Sequence, residues 1–132
     1  MSQNLKNNSW LLGKIVSGKG LARTMGYPTI NLDNPNILAG QKEGVYLTQI
    51  KIQKLEYNGL LYYGPRLVLG ETNTILEIFV MGFNGSVYGD WIDFRILKFI
   101  RGVMDFKSLD DLKKQIELDF DQAIKIIPQT TI

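Results

Sequence analysis

The stretch SLDDLKKQIELDFDQAIKIIP, residues 108–128, has the period of an amphipathic helix. Ser108 precedes Asp111 by one turn, which is typical of a capped helix start with a carboxylate near the N-terminus. Pro128 ends the pattern, because the residue before a proline avoids helical geometry. The sequence therefore predicts a helix over about residues 108–127. Its apolar residues recur at steps of three and four and form one stripe: Leu109, Leu112, Ile116, Phe120, Ala123, Ile124 and Ile127.

The segments before this helix carry the signals of β-strands. They are short, contain β-branched or aromatic residues, and lie between glycine, proline and asparagine turn formers. Asn58-Gly59 is a pair that two-residue hairpins favour, so it predicts a turn. Five or six strands followed by one helix predict a mainly β fold, a small antiparallel barrel with the helix packed against it. The predicted strands are Trp10–Val16, Gly44–Leu55, Leu60–Leu69, Thr74–Phe83 and Trp91–Phe99.

Length and composition indicate one soluble domain. The chain has 132 residues, of which 45% are hydrophobic and 21% are charged. No apolar run approaches the ~18 residues of a membrane span, and the polar N-terminus lacks the apolar core of a signal peptide. We expect a cytoplasmic protein with one domain over residues 10–128 and short tails at 1–9 and 129–132.

Two residue types are missing from the sequence, and this narrows its chemistry. The chain has no Cys, which excludes disulfides, thiolate nucleophiles and cysteine-bound zinc. It also has no His, which excludes imidazole base catalysis and imidazole metal ligands. Acid–base chemistry must use Asp, Glu, Lys or Tyr, and any metal would be a hard ion bound by oxygen.

The stretch GKIVSGKG, residues 13–20, comes close to a phosphate-binding loop. Gly20 stands where the pattern needs a hydroxyl residue, and a helix cannot follow because of Pro28. A different kind of phosphate site stays open, in which Gly18 allows close backbone approach and Arg23 adds charge. A flexible loop at the mouth of the barrel explains the same glycines equally well.

The tetrapeptide PTIN, residues 28–31, is a candidate metal site. If this segment is extended, Thr29 and Asn31 alternate onto the same side of the strand. A hydroxyl and an amide oxygen together are reasonable ligands for a magnesium ion that carries phosphates. The alternative is that both side chains only satisfy the local backbone.

Glu77 is the candidate catalytic residue. It lies in the apolar stretch ILEIFVM, residues 75–81, where a carboxylate must reach solvent, find a partner or take a raised pKa. A raised pKa in a cleft suits a general base. An outward-facing glutamate on an edge strand is the alternative that the pattern alone leaves open.

Several motifs together resemble the riboflavin kinase family over about residues 10–127. The family's Gly-aromatic-Pro-Thr-Ala-Asn motif is similar to GYPTIN, residues 26–31, which follows a glycine- and arginine-rich loop. Further similarities are Gly44-Val45-Tyr46, Leu76-Glu77-Ile78, Tyr88-Gly89 with Ile92, and Arg101 followed by Phe106 and Ser108-Leu109.

The resemblance implies a six-stranded Greek-key β-barrel with a C-terminal helix. It also implies transfer of the γ-phosphate of ATP to the 5′-hydroxyl of riboflavin, which gives FMN. Glu77 would accept the hydroxyl proton, and Thr29 and Asn31 would bind Mg²⁺ and phosphates. Arg101, Met104 and Phe106 would lie at the flavin. The other residues at the nucleotide would be Gly18, Gly20, Arg23, Val80, Gly82 and Tyr88.

The family's pattern is not matched everywhere. Val103-Met104-Asp105 replace the usual Glu-x-Lys before Phe106, and Leu67-Val68 stand where Pro-Thr often follows Arg66. A non-catalytic flavin- or nucleotide-binding barrel of the same fold is therefore the first alternative, and a nucleic-acid-binding barrel is the second. We expect a stand-alone kinase domain that does not make FAD, a monomer whose partners are riboflavin and ATP, with no nucleic acid and no membrane.

Overall fold

Six antiparallel strands close into a barrel in the computed structural model, which describes residues 9–16, 29–83 and 91–127. The strand order around the barrel is β1-β2-β5-β4-β3-β6, and β6 pairs with β1 to close it. Strands β3, β4 and β5 are consecutive neighbours and β6 returns beside β3, which is a Greek key. The predicted fold class is confirmed. The elements are β1 Leu11–Val16, β2 Thr29–Leu32, β3 Gly44–Ile52, β4 Leu55–Pro65, β5 Thr74–Val80, β6 Trp91–Gly102 and the helix α1 Leu109–Ile126.

Strand alternation separates two apolar clusters, one inside the barrel and one outside it. Side chains such as Ile30, Ile78 and Phe94 point inward and form the barrel core. The second cluster lies on the outer face, where Val45, Leu47, Leu60 and Ala123 are buried together. Because Ala123 belongs to α1, the helix covers one side of the barrel and buries the outer face there.

The hairpin between β3 and β4 turns five residues earlier than predicted. Ile52 pairs with Leu55, and the two turn residues, Gln53 and Lys54, have φ of 52° and 72°. Two consecutive positive φ values are typical of a type I′ hairpin turn. Gly59 instead lies inside β4, where an added Cβ would stand 2.6 Å from the Phe79 carbonyl oxygen. This glycine serves close strand packing, so the predicted turn at Asn58-Gly59 is wrong.

The other boundaries differ by a few residues. Strand β4 ends at Pro65 and a short 3₁₀ turn, Leu67–Leu69, follows where the strand was expected to continue. Strand β6 runs to Gly102, beyond its predicted end. The predicted helix start is confirmed, because Ser108 Oγ accepts a hydrogen bond of 3.1 Å from the Asp111 amide.

The apolar stripe of α1 is narrower than predicted, since Leu109 and Ile124 are exposed. Pro128, the predicted end of the helix, lies outside the described residues. In the part of the chain that the structure describes, no helix is both long and apolar enough to cross a membrane.

Candidate active site

Four of the predicted site residues, Thr29, Asn31, Glu77 and Arg101, lie on the outer face of the barrel, and the last three belong to one row that crosses the strands. In β2, Ile30 and Leu32 are buried in the interior while Thr29 and Asn31 alternate to the outer side. The alternation that the sequence predicted is therefore present. Asn31 pairs with Glu77 on β5, which in turn pairs with Tyr62 on β4. The row continues through Val45 on β3 and ends at Arg101 on β6.

A pocket between this row and the helix contains the predicted base and the predicted flavin residues. The segment after β6 and the inner side of α1 form its other wall. Glu77 is only 2% exposed, although it lies on the outer face of the barrel. Strand β5 pairs on both sides, with β2 and with β4, so the edge-strand alternative for Glu77 is wrong. The pocket is lined by Glu77, Arg101, Met104 and Phe106 together with Tyr62, Arg66, Phe79, Leu112, Ile116 and Asp119, among others.

The Glu77 carboxyl group is buried with only part of its hydrogen-bonding capacity used. Its Oε1 lies 3.5 Å from Nη2 of Arg66, and its Oε2 is buried with no hydrogen-bond partner among the described residues. Burial raises the pKa of Glu77, while the Arg66 charge and the nearby Thr29 hydroxyl lower it. The net direction is upward, because desolvation of the carboxylate outweighs both neighbours.

The Thr29 hydroxyl is also buried beside this carboxyl. It lies near enough to influence the Glu77 pKa, but the two groups do not reach the geometry of a hydrogen bond. Thr29 Oγ1 is therefore a buried oxygen without a partner in the described chain. Buried polar atoms are nearly always paired, so such a group indicates a place for a ligand atom.

Arg66 connects the two strands of the site. Its Nη2 donates a hydrogen bond of 3.0 Å to Asn31 Oδ1 and also faces Glu77 Oε1, while its Nη1 lies 3.6 Å from Glu71 Oε1. No role for Arg66 could be predicted from the sequence, because its partners are distant along the chain. The signal that could have found it is Gly64-Pro65, a strand-ending pair that places the next residue at the end of β4.

Arg101 is held by an acidic residue of the helix. It donates three hydrogen bonds of 2.8–3.0 Å to the Asp119 carboxylate and one of 3.0 Å to the Gly102 carbonyl. Asp119 also accepts a bond of 3.0 Å from Gln115. The Phe106 ring centroid lies 5.9 Å from the Arg101 guanidinium carbon. Asp119 was not among the predicted site residues, although an acidic residue beside Ile116 and Phe120 in the apolar stripe is a usable signal.

The oxygen atoms of β2 suit a hard divalent ion that keeps most of its bound water molecules. Thr29 offers a hydroxyl oxygen that has no partner in the described part of the chain, and Asn31 Oδ1 has a second lone pair beyond its bond to Arg66. Within residues 9–16, 29–83 and 91–127, no group of three or more Asp and Glu side chains could hold a metal alone. An ion such as Mg²⁺ fits this pattern, because it binds few protein groups together with waters and phosphates.

The remaining predicted nucleotide residues are divided between described and undescribed parts of the chain. Val80 is buried in the barrel interior, so its side chain does not face the pocket. Gly82 follows β5 with a φ of 74° and open space where a Cβ would stand. Gly18, Gly20, Arg23 and Tyr88 lie outside the described residues.

Comparison with known proteins gives a consistent result for the family. The family model described as riboflavin kinase, or flavokinase, matches residues 5–127. A bifunctional riboflavin kinase/FMN adenylyltransferase of Haemophilus influenzae is 30% identical over 125 residues, which are 93% of this chain and 40% of that protein. The RNA-binding riboflavin kinase RibR of Bacillus subtilis is 34% identical over 116 residues, 87% of this chain and 50% of that protein. The chain thus spans half or less of the length of these relatives.

Two solved structures have a similar fold. The crystal structure titled macrolide-efflux protein from Streptococcus pneumoniae has a TM-score of 0.77 and 27% identity, and the match covers 89% of this chain and 39% of that one. The riboflavin kinase of Trypanosoma brucei has a TM-score of 0.63 over 93% of this chain and 92% of its own. The second is only 20% identical, so it supports the fold alone.

Proposed function

The chain belongs to the riboflavin kinase family, and we propose that it transfers the γ-phosphate of ATP to the 5′-hydroxyl of riboflavin, giving FMN and ADP. One observation carries this proposal beyond the family. Glu77 is a buried carboxylate with one oxygen that has no hydrogen-bond partner among the described residues, and it lies beside the oxygen atoms of β2 and in the wall of the pocket. A base between a phosphate site and a pocket for an alcohol is the arrangement that phosphoryl transfer needs.

Glu77 is proposed as the general base. Its unpartnered Oε2 would accept the proton of the 5′-hydroxyl while the hydroxyl oxygen attacks the γ-phosphorus and ADP leaves. Burial moves the pKa of Glu77 upward, in the direction of neutral pH, and a general base is most effective when its pKa lies near the working pH. Thr29 and Arg66 limit the rise of the pKa, so that the group stays able to accept a proton.

Thr29 and Asn31 are proposed to hold the metal and the phosphates at the adjacent position on β2. The bound ion, which we propose to be Mg²⁺, would neutralise the charge of the phosphates. Gly18, Gly20 and Arg23 are proposed to surround the ATP phosphates, and Val80, Gly82 and Tyr88 to lie near the nucleotide. For Val80 this contact would have to use the backbone, since its side chain is in the core.

Arg101, Met104 and Phe106 are proposed as the flavin residues. Phe106 and Met104 offer apolar surface to a ring system, and the Asp119 contacts keep the Arg101 guanidinium in one orientation. Apolar walls with a few fixed polar groups are usual in sites for small aromatic ligands. We propose that the protein works as a monomer on riboflavin and ATP in the cytoplasm, without nucleic acid.

The direct test is to incubate the purified chain with riboflavin, ATP and Mg²⁺ and to separate the flavins by chromatography. We expect FMN and ADP in equal amounts, and no FMN when EDTA removes the metal. The non-catalytic alternative predicts quenching of riboflavin fluorescence by the protein with no FMN at any ATP concentration. That result would overturn the proposed reaction while leaving flavin binding in place.

A further inference from the structure

We propose that Arg66 is a positioning residue, which rests on the proposed function: its guanidinium holds the predicted metal ligand Asn31 and the predicted base Glu77 in one fixed arrangement. Nη2 is shared between Asn31 Oδ1 at 3.0 Å and Glu77 Oε1 at 3.5 Å. The two acceptors lie on different strands, β2 and β5, so Arg66 connects the phosphate side of the site to its base.

The place of Arg66 in the fold makes this connection rigid. The residue follows Pro65, the last residue of β4, and directly precedes the 3₁₀ turn Leu67–Leu69. Its backbone carbonyl accepts hydrogen bonds from the amides of Leu69 and Glu71, at 3.0 and 3.2 Å. The side chain is only 9% exposed, and its Nη1 faces the Glu71 carboxylate. Both terminal nitrogens of the guanidinium therefore have protein partners before any substrate binds: Nη2 contacts Asn31 and Nη1 faces Glu71.

The planar shape of the guanidinium determines what this contact does. A bond from Nη2 orients the Asn31 amide so that its carbonyl oxygen, rather than its NH₂ group, faces the cluster. The same nitrogen attracts Glu77 Oε1 and leaves Oε2 as the unpartnered oxygen. A lysine ammonium carries its charge as a single point on a flexible stem, so it cannot place one nitrogen between Asn31 and Glu77 and a second one beside Glu71. Geometry, and not charge alone, is the contribution we assign to Arg66.

The test compares Arg66→Met and Arg66→Lys in the full chain, with kcat and the half-saturating Mg²⁺ concentration measured well below each variant's melting temperature. Because misplacement by about 1 Å can cost about 100-fold in rate, we expect Arg66→Met to lose about that much of kcat. Its Mg²⁺ requirement should rise, since the Asn31 amide is free to rotate. Arg66→Lys should fold and recover only a minor part of kcat.

Arg95→Met is the matched control. Arg95 is a partly buried arginine of the same barrel that bonds Gln49 Oε1 at 2.8 Å and stacks on Trp10, away from the pocket. It should keep the wild-type kcat and Mg²⁺ requirement even if its melting temperature falls. Wild-type values of both quantities in Arg66→Lys would overturn the positioning role, whether or not Arg66→Met folds.

The two hypotheses fail in different ways. If the wild-type chain forms no FMN, the proposed reaction is wrong and the role of Arg66 falls with it. If the wild-type chain is active and Arg66→Met has the same kcat, only the positioning role is wrong.

Discussion

The pocket contains two buried arginine–carboxylate pairs that differ in how completely their atoms are paired. Arg101 and Asp119 meet through three hydrogen bonds of 2.8–3.0 Å, and further bonds to Gly102 and from Gln115 occupy other atoms. Arg66 and Glu77 are 3.5 Å apart, and Arg66 Nε and Glu77 Oε2 are buried without hydrogen-bond partners in the described chain.

This difference in hydrogen bonding indicates different roles: the Arg101–Asp119 pair stabilises the fold, and the Arg66–Glu77 pair can react with a substrate. In the Arg101–Asp119 pair, both carboxylate oxygens accept hydrogen bonds within the protein, so the pair fixes α1 to β6 and orients Arg101. In the Arg66–Glu77 pair, one carboxylate oxygen is left for a substrate atom. Buried polar atoms without partners cost free energy, so each one needs a specific reason such as a catalytic role. The first pair should therefore control stability and the second should control turnover.

Glu77→Gln gives the largest expected effect. It keeps the shape of the side chain and removes the proton acceptor, so FMN formation should fall by about 10²- to 10⁴-fold. Riboflavin binding, followed by fluorescence quenching, should be kept. The exposed Glu56→Gln on β4 is the control and should turn over normally. Normal turnover of Glu77→Gln would exclude Glu77 as the base and direct attention to Glu71 or Asp90.

Asp119→Ala should act mainly on stability. It leaves the buried Arg101 charge without its carboxylate, which typically costs about 3–5 kcal/mol of unfolding free energy. Urea unfolding measures this loss, and Asp121→Ala, an exposed aspartate of the same helix, is the matched control. A loss of less than about 0.5 kcal/mol, the range of ordinary surface changes, would show that this pair does not hold the helix to the barrel.

Thr29→Val tests whether the Thr29 hydroxyl binds a ligand or stabilises the fold. Since Thr29 Oγ1 has no hydrogen-bond partner among the described residues, its removal should leave the melting temperature unchanged or slightly higher. Activity at limiting Mg²⁺ should fall by at least about 10-fold, which is the smaller loss typical of groups that only support a metal ligand. Thr48→Val is the contrast, because Thr48 Oγ1 donates a bond of 2.6 Å to the Arg95 carbonyl. That variant should lose stability and keep its Mg²⁺ dependence; the opposite pattern in the two variants would refute the metal role of Thr29.

The pH dependence of stability gives the smallest and most gradual effect. Because the pKa of Glu77 is raised in the folded state, its contribution to stability is fully present below the unfolded pKa and is lost as pH rises through the folded pKa. Glutamine at this position does not titrate. The unfolding free energy of Glu77→Gln relative to wild type should therefore increase between pH 4 and pH 8 in metal-free buffer. A difference that stays constant or shrinks would mean that Arg66 compensates the burial fully.

The sequence predicted parts of the site that depend on local alternation. Thr29 and Asn31 share a face because side chains alternate along any strand. Glu77 was conspicuous because a carboxylate in an apolar stretch needs an explanation wherever the strand lies. Arg66 and Asp119 could not be given partners in the same way. Their contacts join residues that are far apart in sequence, and these contacts depend on the strand register and on where α1 packs.

The sequence by itself determined the fold class, the helix with its Ser108 cap and the alternation that puts Thr29 and Asn31 on one side. These features follow from short-range rules of period and capping, which act within a few residues. Only the tertiary structure decided that β5 is an inner strand, that Glu77 is buried, and that the β3–β4 turn lies at Gln53-Lys54. Barrel closure fixes the register of all six strands together, and packing against Phe79 then requires Gly59 within a strand and not in a turn. Local turn preference is weaker than that collective constraint.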